Sequence, residues 1–128
     1  MAYFLNNISE INQFSKTVKE KYFVDKSELI EKMNELVGTA SQYVCITRPR
    51  RFGKTLNAMM LASYYSKNAD FKYLFDKLKV SKSDSYLEHL NKHNVIYMTF
   101  NQLPSANCTY EDFIGRYTSF LVKDLKEI

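Results

Sequence analysis

The sequence has no tryptophan, only three glycines and two prolines, and only two cysteines in 128 residues. So little glycine and proline excludes collagen-like and Pro-rich chains and argues against a chain made mostly of linker. No uncharged apolar run reaches the length of about 18 residues that a membrane-spanning helix needs, so no membrane partner is expected. The opening MAYFLNNISE lacks both a basic leader and a long apolar stretch, so no secretory signal is expected. Cys45 and Cys108 form no CxxC pair. They read as structural thiols of a reducing, cytoplasmic compartment, with Cys45 a small core residue inside an apolar run.

What is present is aromatic and mildly basic. Ten tyrosines and nine phenylalanines, 45% apolar residues and 25% charged ones fit a globular domain rather than a disordered segment. At this length a chain buries about two thirds of its unfolded surface, enough for one core without staples. The net charge of +4 permits anionic partners without identifying one. Its distribution says more. Arg48, Arg50, Arg51 and Lys54 fall within seven residues, and no acid lies between Glu35 and Asp70.

Hydrophobic periodicity places the elements. Residues 8–20 carry a weak helical signal, and Tyr22, Phe23 and Val24 form a short apolar patch. Leu29, Ile30, Met33, Leu36 and Val37 then make one stripe of a 3.6-residue period. Asp25 is the expected N-cap, with Glu28 completing a capping box and Gly38 closing the helix. Residues 42–47 (QYVCIT) are uncharged and rich in β-branched and aromatic side chains, which reads as a buried strand that Pro49 ends. A helix is expected from Lys54 to near Asn68, with Leu56, Met59 and Met60 on one face. Residues 71–80 read as a short helix or a packed loop. Residues 84–92 read as a short helix with Leu87 and Leu90 on its apolar side, and 95–100 (VIYMTF) as a second strand. Thr109 opens a last helix whose Phe113, Ile114, Tyr117, Phe120, Leu121, Leu125 and Ile128 share a face.

Alternating strands and helices predict an α/β fold, a parallel sheet with flanking helices. Two strands cannot cover four helices, so the chain reads as the N-terminal portion of something longer. Residues 1–20 would be a weakly defined segment and 21–128 a partial core.

The most informative stretch is Arg48-Pro49-Arg50-Arg51-Phe52-Gly53-Lys54-Thr55. It matches the phosphate-binding pattern G-x-x-x-x-G-K-[ST] at its last three positions, between an expected strand and an expected helix. Arg48 stands where that pattern has its first glycine. Each residue type has a physical task in such a turn. Gly53 lets backbone N–H groups approach an anion where a Cβ would intrude, and the helix behind it offers unpaired N–H groups. Lys54 supplies an ammonium to the β and γ phosphates, and Thr55 offers a hydroxyl to Mg²⁺. The arginines add fork-shaped donors suited to phosphate oxygens.

With YFVDKSELI before it, RPRRFGKT resembles the predicted AAA-ATPase-like domain family found in many bacterial proteins. Leu74-Phe75-Asp76 and VIYMTF are similar to later features of that family, and the resemblance covers about residues 20–100. In the family an arginine takes the first-glycine position, so Arg48 conforms. The resemblance implies a P-loop fold that binds ATP and Mg²⁺ through residues 48–55. It also implies a nuclease-like PD-(D/E)XK domain beyond this chain, through which nucleic acid would be a partner. No Walker B acid is legible, since Thr99 stands where the family often has Asp. Hydrolysis, which needs a positioned water besides a phosphate clamp, has no visible catalytic residue.

Other readings accompany this one. The Arg48–Lys54 cluster would also serve a nucleic-acid-binding module, or the loop would be a degenerate scaffold without a ligand. Asp25 and Lys26 would either shape a base or ribose pocket or be a helix cap beside a solvated lysine. His89 and His93, four apart with no third ligand at metal spacing, read as ordinary surface histidines. Tyr64, Tyr65, Phe71, Tyr73 and Phe75 read as core rather than as base-stacking groups.

Overall fold

A computed structural model describes residues 3–7, 12–49, 51, 53–100 and 109–127. Its elements are α1 (Asn12–Val18), α2 (Glu28–Leu36), α3 (Lys54–Tyr65), α4 (Lys72–Phe75), a 3-10 turn (Lys79–Lys82), α5 (Tyr86–His89) and α6 (Tyr110–Lys126). The periodic segments thus become helices. Gly38 adopts φ +78° just beyond α2, the left-handed position that favours glycine where a helix ends. Thr109 caps α6 with a complete capping box, its hydroxyl accepting from the Asp112 N–H.

The expected parallel sheet does not form. Residues 42–49 are irregular and exposed throughout, with Tyr43 89% exposed. Residues 95–100 contribute only an isolated antiparallel bridge between Leu5 and Ile96. Among the described residues there is no strand, and the architecture is helical rather than α/β. The physical reason lies in what strand propensity measures. A β-branched, aromatic run fits a paired, half-buried surface, and without a neighbour to pair with it has no ladder to join. Cys45 is exposed with the rest of its segment instead of being a core residue; Cys108 lies outside the described residues.

The core gathers Phe14 of α1, Ile30 of α2, Met60 and Tyr64 of α3, and Leu74, Phe75, Val80 and Tyr86 beyond it. Tyr64 is fully buried, its ring in edge contact with Tyr65 and Phe75. Of the aromatic cluster read as core, Tyr64, Phe71 and Phe75 are buried and Tyr65 is half-buried, while Tyr73 faces solvent. A buried polar knot joins three helical segments. Asn34 of α2 donates to the Tyr64 hydroxyl at 3.2 Å and to Ser85 Oγ at 3.1 Å. Its carbonyl accepts from the Tyr65 hydroxyl at 2.6 Å, and Tyr64 donates onward to the Tyr86 carbonyl at 2.6 Å. Burial raises the pKa of both tyrosines, keeping their hydroxyls protonated as donors.

A second cluster fastens residues 3–7 to α6. The buried Asp124 carboxylate accepts from the N–H groups of Tyr3, Phe4 and Leu5 at 2.6–3.1 Å. Tyr3 stacks on Phe120 and Phe4 on Tyr117. Burial pushes the Asp124 carboxyl up, but the hydrogen bonds from Phe4, Tyr3 and Leu5 outweigh it and hold it below its ordinary value. Of the expected apolar face of α6, Phe113, Tyr117, Phe120 and Leu121 are half-buried, whereas Ile114 and Leu125 are exposed; Ile128 lies outside the described residues. Leu87 of α5 is likewise exposed, and Leu90 is the buried member of its pair.

Replacing Asn34 by alanine strips the Tyr65 hydroxyl of its acceptor in a half-buried setting. We expect a loss of about 2 kcal/mol in unfolding free energy. It should appear in urea titration as a lowered midpoint with an unchanged slope.

Candidate functional site

The turn before α3 is shaped by two left-handed residues, Arg51 at φ +66° and Gly53 at φ +84°. Gly53 occupies the N-cap position, where its free φ turns the chain into α3. The first helical bond runs from the Asn57 N–H to the Gly53 carbonyl at 2.9 Å, and no side chain caps the helix start. Lys54 is exposed. It folds back over the turn and donates from Nζ to the Arg48 carbonyl at 2.6 Å. The residues on either side of the turn are thereby tied together.

A cavity of about 460 Å³ opens beside this turn, lined by Lys26, Leu29, Ile46, Arg48, Lys54 and Asn57. Among the described residues, three cations and no carboxylate line it. Near it lies a smaller cleft of about 150 Å³ between α1 and α3, whose walls include Phe14, Phe23, Leu56 and Met60. Lys26 and Asn57 border both spaces. A Cβ added at Gly53 would stand 3.5 Å from Lys26 Nζ, so this ammonium sits against the bare face of the glycine.

The remaining sequence-derived candidates are placed as follows. Arg48, Pro49, Arg51, Lys54 and Thr55 are exposed around the turn, with Thr55 the second residue of α3. Arg50 and Phe52 lie outside the described residues. Asp25 does not cap α2, whose N-cap position falls on Ser27. Its carboxylate instead accepts from the Ser27 N–H at 2.8 Å and the Lys79 N–H at 2.7 Å. Burial would raise its pKa, but the hydrogen bonds from Ser27 and Lys79 and the charge of Lys79 prevail and lower it. Ser27 Oγ accepts from the Val80 N–H at 3.0 Å. Residues 25–27 are therefore pinned to the 3-10 turn, and Lys26 projects from a fixed base. His89 and His93 lie apart from this site, their rings 5.2 Å apart and joined by a 3.0 Å hydrogen bond. Burial and then the charge of His89 lower the His93 pKa.

The family comparison bears on this geometry. The family model described as "Predicted AAA-ATPase" matches residues 9–127. The chain belongs to that family. No curated protein and no solved structure matches it. The family match carries across the cation-lined turn, α3 and all of α6, so the resemblance read from RPRRFGKT holds over nearly the whole chain. Among the described residues, no helix is long and apolar enough to cross a membrane.

Leu29, Ile46 and Asn57, which also border the cavity, lay outside the sequence-derived site. Asn57 is one turn beyond Gly53 on α3, and its helical spacing from the glycine was the available signal. Lys26 was read with Asp25 as either a pocket residue or a solvated lysine beside a helix cap. What brings it to the turn is the tie between residues 25–27 and the 3-10 turn, which no local pattern announces.

Two measurements test this description. Gly53→Ala places a Cβ residue at φ +84°, with an expected stability loss of about 1–2 kcal/mol by denaturant titration. Asp25→Asn should be less stable than wild type above about pH 4, the unfolded carboxylate value. Because the folded pKa is lowered, the wild-type advantage is lost as pH falls through that value, and the two unfolding curves converge in acid.

Proposed function

We propose that the turn at residues 48–55 binds the phosphates of a nucleotide, ATP being the expected one. The observation that carries this reading is the cavity beside Gly53, where the cations Lys26, Arg48 and Lys54 converge without a lining carboxylate. Like charges brought together in this way repel, and an anion between them relieves the repulsion. The uncapped start of α3 adds N–H groups and the positive end of a helix dipole. Membership in a predicted ATPase family supports the same conclusion.

In this reading Lys54 leaves the Arg48 carbonyl and takes a phosphate oxygen. Arg48 and Arg51 supply further donors from the turn. Thr55, one residue into α3 from Lys54, would give its hydroxyl to the Mg²⁺ that accompanies the nucleotide. Asp25 acts at one remove, holding the segment that carries Lys26. The function proposed is binding, since the described cavity holds no acid to orient water.

Calorimetric titration of the full chain with Mg·ATP tests the reading. Wild type should bind, and Lys54→Ala should lose about tenfold or more in affinity, the worth of a charge-assisted hydrogen bond. Equal binding by the two proteins overturns it. If DNA or RNA were bound instead, affinity would fall steeply with salt and survive Thr55→Ala.

A further inference from the structure

We infer that Lys26 is a second phosphate-holding lysine of this site, seated where a bound nucleotide passes from its phosphates to its nucleoside. The inference rests on the nucleotide reading above and adds a residue outside the 48–55 turn. Four observations place it.

Lys26 is common to the cation-lined cavity and to the α1–α3 cleft. The first space carries the charges of Arg48 and Lys54. The second has Phe14, Tyr22, Phe23, Val24, Leu56 and Met60 among its walls. A ligand with an anionic tail and a flat, weakly polar head fits the pair in one direction only, tail towards Lys54 and head between α1 and α3. Glu20, which also lines the cleft, reinforces this polarity, because a carboxylate there repels phosphate.

The position of the ammonium is also specific. Lys26 Nζ lies against Gly53, at 3.5 Å from where a Cβ would stand. A phosphate approaching the bare backbone of that glycine comes within reach of Lys26 on the nucleoside side. Lys54, which lines the same cavity, is held by the Arg48 carbonyl.

The ammonium is uncommitted. Among the described residues the Lys26 ammonium has no hydrogen bond or ion pair, its carbonyl alone accepting from the Leu29 N–H, and the adjacent Asp25 carboxylate is spent on the Ser27 and Lys79 N–H groups. Its root is fixed nonetheless. The Asp25 and Ser27 bonds to the 3-10 turn hold the backbone on both sides of residue 26, so less freedom is lost when the head group engages a ligand.

Lys26 therefore contacts the phosphate shared by ATP, ADP and AMP, whereas Lys54 serves the outer phosphates. The test titrates the full chain with ATP, ADP, AMP and pyrophosphate. It uses wild type, Lys26→Met, Lys54→Ala and the charge control Lys32→Met on the exposed side of α2. Unfolding curves of the variants check that each is folded; Lys26 is exposed, so Lys26→Met should match wild type. We expect Lys26→Met to weaken ATP, ADP and AMP by a similar factor, about tenfold or more. Lys54→Ala should weaken ATP most and AMP least, and Lys32→Met should change none of them. If Lys26→Met binds all four ligands as wild type does while Lys54→Ala loses ATP, the role of Lys26 is overturned and the nucleotide reading stands. A Lys26→Met loss confined to ATP also overturns the assignment, placing the lysine with the outer phosphates. If wild type binds no nucleotide, the nucleotide reading itself fails.

Discussion

The amide of Asn34 is the joint on which the geometry of the site depends. It is buried between α2, α3 and the segment before α5, and it spends its donor and acceptor capacity on Tyr64, Tyr65 and Ser85. Apolar packing alone is tolerant of small slides between helices, since many arrangements bury similar area. A buried amide is not tolerant, because a misplaced donor or acceptor is left without a partner at substantial cost. This knot sets how α2 stands against α3, and with it the separation between the N-terminal ends of the two helices. Lys26 and Gly53 lie at those ends.

The same logic extends outward from the knot. The 3-10 turn, packed behind α2, receives the Asp25 and Ser27 bonds and so positions the residue between them. The site thus draws on one loop for Arg48, Gly53 and Lys54 and on another for Lys26, with helical contacts between them. Its chemistry is that of concentrated positive charge beside an apolar cleft.

The helices were legible because their apolar residues recur with a helical period and their ends carry recognisable chemistry, Gly38 and Thr109 above all. The RPRRFGKT stretch was legible because its Gly-Lys-Thr ending matches a phosphate-binding pattern and its cations crowd one glycine. The sheet was misread because QYVCIT and VIYMTF state only that a segment suits pairing; whether a partner runs alongside is a non-local matter. The N-cap of α2 was misplaced for a related reason. Asp25 has the right side chain for a cap, but two backbone N–H groups, one of them 54 residues away in Lys79, compete for it successfully. Lys26 stayed open between a pocket residue and a solvated lysine, because an exposed lysine next to a plausible cap is ordinary in sequence and becomes informative only beside Gly53.

The bond from Lys54 to the Arg48 carbonyl gives the turn an internal competitor. Any anion that reaches this ammonium must displace a carbonyl oxygen already in place, so binding there is an exchange of acceptors and not a simple addition. Observed affinity would then report the difference between two acceptors, one tethered and one free. The displaced carbonyl would also need a new donor, with water the nearest supply. Loading the turn would thus release its two arms from each other, so the loop would change its own connectivity whenever the lysine changed partner.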